Sequence, residues 1–151
     1  MKTPALWISA LVIGASVAAT GSFAVDNITS RDTPYLTSVR AKIEAKDYKA
    51  ALAELTPMLE THQHADVYSL LGFALRKTGD YKQAYTFYRK ALDFDPEHKG
   101  ALEYLGELYV ETGQVDKARE NVVLLKKLCP GGCEELADLE HAIAGAPAKV
   151  N

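Results

Sequence analysis

The residues from Ala65 to His98 recur, shifted by 34, over Lys99 to Gly132, and that internal period limits the fold more than any single motif does. In the first stretch Tyr68, Leu71, Gly72, Leu75, Ala84, Tyr88, Ala91 and Pro96 fall at positions 4, 7, 8, 11, 20, 24, 27 and 32. In the second, Leu102, Leu105, Gly106, Tyr109, Ala118 and Pro130 take the equivalent places, with Val122 and Leu125 at the two later ones. A shift of 33 in the other direction pairs Asp47-Tyr48-Lys49 with Asp80-Tyr81-Lys82 and yields a degenerate copy over about Asp32 to His64. There Val39 replaces the small Gly, Lys46 replaces the turn Gly, and Pro57 falls inside the second half of the unit.

Each unit reads as two helices joined by a turn. Tyr68, Leu71, Leu75, Tyr88 and Leu92 recur at helical spacing and predict a buried seam, while Gly72 and Ala84 are small where two antiparallel helices must cross closely. Gly79 supplies the left-handed residue that ends a helix, and Asp80 with Gln83 three residues later is a capping box for the next. Pro96 closes the unit, because the residue before a proline is pushed out of helical geometry. The pattern predicts helices over 34–45, 48–60, 66–78, 81–94, 99–112 and 115–128, with a kink or fraying at Pro57, whose ring crowds the carbonyl of Ala53. A seventh helix over 134–144 carries Leu136, Leu139 and Ile143 on one face, as expected of a cap that covers the last apolar seam of an array.

This spacing of large, Leu, Gly, large, Ala, aromatic, Ala and Pro residues resembles that of the tetratricopeptide repeat (TPR) family from about Asp32 to Pro130. The resemblance implies an all-α helix-turn-helix solenoid of three units (32–64, 65–98 and 99–132) plus the cap, a TPR domain over 34–144. It also implies that the first helices of successive units line a concave surface that holds a protein or peptide partner. Carried onto this chain, the groove positions are Leu36, Arg40 and Glu44, then Ser69, Phe73 and Lys77, then Glu103, Glu107 and Glu111. Phe73 is the expected aromatic anchor. Glu103, Glu107 and Glu111 have two readings, a partner-selecting acidic stripe facing the more basic Arg40, Arg76 and Lys77, or a solvated face. The Asn and Lys residues of the TPR clamp for acidic chaperone tails are not found at the matching positions.

The ends of the chain carry different signals. Met1 to Ala24 reads as a signal peptide, with Lys2, an apolar run from Ala5 to Ala19, and small residues at Ser22 and Ala24 before the expected cleavage. The run falls short of the ~20 residues that cross a bilayer, which favours cleavage over a retained anchor. Residues 25–33 form a leader, and 145–151, broken by Gly145 and Pro147, an expected disordered tail. Export would place the protein in the periplasm or outside the cell.

Cys129 and Cys133, the only cysteines, flank Pro130-Gly131-Gly132. In an exported chain the even count favours a structural disulfide pinning the cap helix. A redox dithiol ordinarily has two intervening residues rather than three, and a metal site needs ligands that His62, His64, His98 and His141 do not offer at zinc-type spacing. His62-Gln63-His64 is either a weak copper or zinc pair or a polar turn. No cofactor site is indicated, and no phosphate loop or catalytic constellation appears, so an enzyme is not expected. A formal charge of −3 without a basic block argues against nucleic acid. The expected function is an exported interaction module or scaffold in envelope complex assembly, with a small thiol-disulfide protein as the alternative. A homo-oligomer through the degenerate first unit fits the same pattern.

Overall fold

Three short turns of one geometry set the architecture. Lys46, Gly79 and Gly113 have φ of 58°, 89° and 75°, the left-handed region. At each, the next N–H reaches back to close the preceding helix: Asp47 to the carbonyl of Lys42 (2.8 Å), Asp80 to Leu75 (2.9 Å) and Gln114 to Tyr109 (2.7 Å). The left-handed residue itself donates to the carbonyl three before it, at Ile43, Arg76 and Val110. This pair of bonds is the Schellman motif, and it serves carbonyls that a helix end otherwise leaves without donors. After the first two turns the next helix starts on a side-chain cap, Asp47 accepting from the N–H of Ala50 and Asp80 from that of Gln83, both at 3.1 Å.

The computed structural model describes residues 34–147; the expected signal peptide, the leader over 25–33 and residues 148–151 of the tail lie outside the described residues. A 3-10 turn, Pro34–Leu36, leads into seven α-helices: α1 (Thr37–Glu44), α2 (Tyr48–Thr61), α3 (Ala65–Lys77), α4 (Tyr81–Phe94), α5 (Lys99–Glu111), α6 (Val115–Leu128) and α7 (Glu134–Ala144). They stack as the pairs α1/α2, α3/α4 and α5/α6, with α3 against α5 and α7 packed on both α5 and α6. The fold is the all-α, TPR-type solenoid that the repeat implies.

Two local expectations are corrected. The chain is α-helical only from Thr37, and the tighter turn before it directs Leu36 inward, where it is fully buried beside Val39, Ala51 and Leu55 rather than lining the groove. Helix α2 also runs unbroken through Pro57 to Thr61. Ala53 and Pro57 both lie on the exposed side, so water can serve the carbonyl that lost its donor, and the Thr56 hydroxyl donates to the neighbouring carbonyl of Leu52 at 2.7 Å.

The crossings explain the small residues. A Cβ on Gly72 would lie 2.6 Å from the buried ring of Tyr88, too close for any side chain. In the third unit Val122 stands where Tyr88 stood, and the space over Gly106 is filled from α7, with Leu139 at 2.6 Å from a Cβ placed there. The cap helix therefore contributes a side chain to the unit it covers.

Lys46 adopts a conformation that costs a non-glycine residue about 1 kcal/mol. Lys46→Gly should raise stability in urea unfolding by roughly 0.5–1 kcal/mol without changing the slope.

Candidate functional site

The first helices of the units converge on one side of the stack. Arg40, Ile43 and Glu44 of α1, Leu70 and Phe73 of α3, Tyr104 of α5 and Glu134 of α7 line a depression of about 420 Å³. Phe73 lies at its centre, half-buried, with its ring centroid 4.8 Å from that of Tyr104 and 6.2 Å from that of Tyr48. The Lys77 ammonium sits 5.2 Å from the Phe73 centroid and the Arg76 guanidinium 5.4 Å from it, both in cation–π range. Glu44 and Lys77 are exposed at the edge. Of the groove residues expected from sequence, Arg40, Glu44, Phe73 and Lys77 thus cluster here.

The remaining expected residues are placed differently. Ser69 is buried, 2% exposed, below the depression. The side chain of Arg76 is 1% exposed; its Nη1 donates to Glu111 Oε1 at 2.5 Å, its Nη2 pairs with Glu107, and its Nε donates to the Tyr88 hydroxyl at 3.3 Å. Burial works against the Arg76 charge, but Tyr88, Glu107 and Glu111 together raise its pKa. Two carboxylates of the expected stripe are therefore committed to an internal cation. The third, Glu103, is buried, and burial followed by the nearby charges of Glu107, Asp138 and Glu135 pushes its pKa up to about 8, with Arg76 opposing. An open row of three ionised glutamates is not what this face presents.

A second, smaller cavity of about 50 Å³ adjoins the depression and shares Arg40, Leu70 and Tyr104 with it. Asp66, Ser69, His98, Gly100, Glu103 and Glu135 complete its walls. His98 caps α5, its Nδ1 accepting from the N–H of Ala101 at 3.0 Å, so Nε2 carries the proton and donates to Asp66 Oδ1 at 3.2 Å. Arg40 Nη2 is 3.6 Å from the same oxygen. Tyr104 has its pKa raised to about 12, by burial first and then by Glu103.

Tyr104, Leu70, Ile43, Glu134, Asp66 and His98 were not singled out by the groove positions of the repeat. Their signal is the period itself, since Leu70 and Tyr104 are 34 apart, as are the capping residues His64 and His98. His64 accepts from the N–H of Asp66 at 3.3 Å to cap α3, and the His62 ring lies 4.6 Å from that of Tyr35. Cys129 and Cys133 form a disulfide between α6 and α7, with Cα atoms 5.9 Å apart. Among the described residues no group of three His, Cys, Asp or Glu side chains is placed to hold a metal, and no helix is long and apolar enough to cross a membrane.

Comparison with known proteins agrees with this architecture. Residues 75–125 match the tetratricopeptide repeat family. Over 80 residues, 53% of the chain, the sequence is 34% identical to the BBSome complex member BBS4 of Bos taurus, of which it spans 15%. The fold is similar to that of the Yersinia enterocolitica type III secretion translocator chaperone SycD, with a TM-score of 0.61, 15% identity, and coverage of 74% of this chain and 85% of that one. It is similar also to the second TPR domain of human RPAP3, solved in complex with an HSP70 peptide, with a TM-score of 0.61, 16% identity and coverage of 72% and 91%. PcrH in complex with the chaperone binding region of PopD gives a TM-score of 0.61, 18% identity and coverage of 73% and 84%.

The raised pKa of Glu103 has a consequence for stability. The folded state holds a proton that the unfolded state releases near pH 4.5, so stability falls as pH rises from there through about 8. Glu103→Gln should be near neutral at pH 4, stabilise by on the order of 2 kcal/mol at pH 8, and flatten the pH dependence of thermal unfolding between them.

Proposed function

We propose that this protein is an exported protein–protein interaction module that holds a segment of a partner in the depression centred on Phe73. The observation that carries the reading is the half-buried aromatic cluster of Phe73 and Tyr104, open to solvent on a concave face and edged by Glu44 and Lys77. An aromatic ring on a rigid floor can take an apolar side chain at little ordering cost, and flanking charges of both signs fix its orientation. Two proteins of similar fold, the RPAP3 domain and PcrH, were solved with bound peptide segments, which supports the same use of the fold here. The signal-like start from Met1 to Ala24 supports action outside the cytoplasm, and the resemblance to TPR proteins suggests a part in assembling envelope complexes there.

The groove is tested by crosslinking pull-down with wild type beside a Phe73→Ser, Lys77→Glu double variant. Glu107 and Glu111 are left alone, because altering them would strand the buried Arg76 cation and unfold the surface under test. The variant should keep its helical circular dichroism and lose capture of the wild-type partner at least tenfold. Equal capture by a folded variant would move the function off this face. Export is tested separately by mass spectrometry, which should find a mature chain beginning at Val25; a chain retaining Met1 would refute cleavage.

A further inference from the structure

The two joints between units are built alike but not filled alike. Where the first unit meets the second, Leu59 and Leu71 pack with the stacked rings of Tyr68 and Phe87, whose centroids are 6.4 Å apart. A shift of 34 carries Tyr68, Leu71 and Phe87 to Leu102, Leu105 and Asn121, so the joint between the second and third units holds neither of those rings. A pocket of about 330 Å³ stands open there between α4 and α6, walled by Leu92, Pro96, Leu102, Leu105 and Leu124. Asn121 also lines it, although only 7% exposed, and burying an amide is costly unless its polar atoms are met. Its Nδ2 donates to the carbonyl of Leu102 at 2.8 Å, while Oδ1 has no hydrogen bond among the described residues. Unlike Asp66 Oδ2 and Ser69 Oγ, that oxygen is not sealed from solvent, so an incoming donor can reach it.

The surface beside the pocket is apolar and charged in an ordered way. Tyr81, Tyr85, Arg89 and Asp93, four apart, form one exposed row along α4, with Lys82 next to it. Tyr81 and Tyr85 are 41% and 43% exposed, as is Leu124 across the pocket at 43%. Lys82, Arg89 and Asp93 take part in no ion pair among the described residues. Laid antiparallel against a copy of itself, centred between Tyr85 and Arg89, the row sets Tyr85 opposite Arg89, and Tyr81 and Lys82 opposite Asp93 at the pocket.

We propose that a second copy of this chain docks on this face, its α4 antiparallel to that of the first, with Tyr81 of each copy entering the pocket of the other. The phenol ring takes space that the rings of Tyr68 and Phe87 fill at the first joint, and its hydroxyl donates to Asn121 Oδ1. Arg89 lies over the ring of Tyr85 in the opposite copy and Lys82 pairs with Asp93, each contact made twice about the two-fold axis. One register thus meets the apolar, polar and charged requirements of the face together. A rim of one sign would call for a partner of the other, whereas a rim whose signs reverse along the row is complementary to itself. Because α4 and α6 are second helices, the depression around Phe73, on the side of the first helices, stays open in both copies. The pairing does not rest on the groove reading.

Sedimentation equilibrium of the purified chain tests it and should show a concentration-dependent dimer. Tyr81→Ala should weaken that dimer roughly tenfold or more with helical circular dichroism unchanged. Asn121→Phe supplies from within the kind of ring that Phe87 supplies at the first joint; it should raise the melting temperature and abolish the dimer, a combination that misfolding does not produce. Lys82→Glu should weaken association at low salt, and Asp93→Lys added to it should restore the wild-type affinity. Should Asn121→Phe fail to fold, Tyr81→Ala and the charge exchange carry the test. A monomer at every concentration up to about 1 mM would overturn the proposal. So would a dimer that Tyr81→Ala and Asn121→Phe leave intact, which would put the contact elsewhere, the first unit included. A charge exchange without recovery would overturn the antiparallel register. None of these variants alters Phe73 or Lys77, so loss of the dimer and loss of partner capture are distinguishable.

Discussion

The guanidinium of Arg76 is the constraint on which the relation between the second and third units depends. It is a full charge with almost no contact with water, and such a group is tolerable only when its donors meet acceptors of opposite charge. Those acceptors come from other elements, Glu107 and Glu111 on α5 and the hydroxyl of Tyr88 on α4. Two carboxylates four residues apart stand on one face of α5, one turn from each other. A planar fork that must meet both fixes how far α5 can slide along α3. Apolar packing alone is far more permissive, since a shift of one turn presents another leucine to the same hollow.

That register places the candidate surface. With α5 held against α3, Tyr104 comes to rest 4.8 Å from the ring of Phe73, and Glu103 comes to the wall shared with Asp66 and Ser69. The cap helix then completes the arrangement. Its Leu139 occupies the space over Gly106 that a tyrosine at position 122 would otherwise fill, and the disulfide between Cys129 and Cys133 ties the start of α7 to the end of α6. As a result Glu134 lines the depression and Glu135 the smaller cavity beside it. The cap both closes the apolar seam and supplies groove wall.

Local features were legible in the sequence because they depend on neighbours in the chain. Helix periodicity, the Asp80 cap and the Gly79 turn each need information from within five residues. Even the degenerate first unit keeps the same turn, with Lys46 forced into the glycine's conformation. What could not be read were pairings between units. Arg76 is 31 and 35 residues from Glu107 and Glu111, and a charge row along one helix gives no sign that a cation from another lies across it. The burial of Asp66 and Ser69 was hidden for the same reason, since both residue types are mostly found at surfaces. Leu36 was placed in the groove by carrying the repeat's groove positions onto the degenerate first unit, where the tighter first turn instead buries it in the core.

The internal pairing of Arg76 also bears on how a partner could be chosen. Were Glu103, Glu107 and Glu111 all ionised and open, the groove would attract basic segments from a distance, with affinity that collapses in salt. Instead one carboxyl is held protonated at neutral pH by its burial, and two are held by a cation of the same molecule. What remains on the surface is an aromatic floor with scattered charges of both signs at its edge. On the proposed groove reading, long-range attraction is then weak, and discrimination arises at contact, from an apolar group that fits over Phe73.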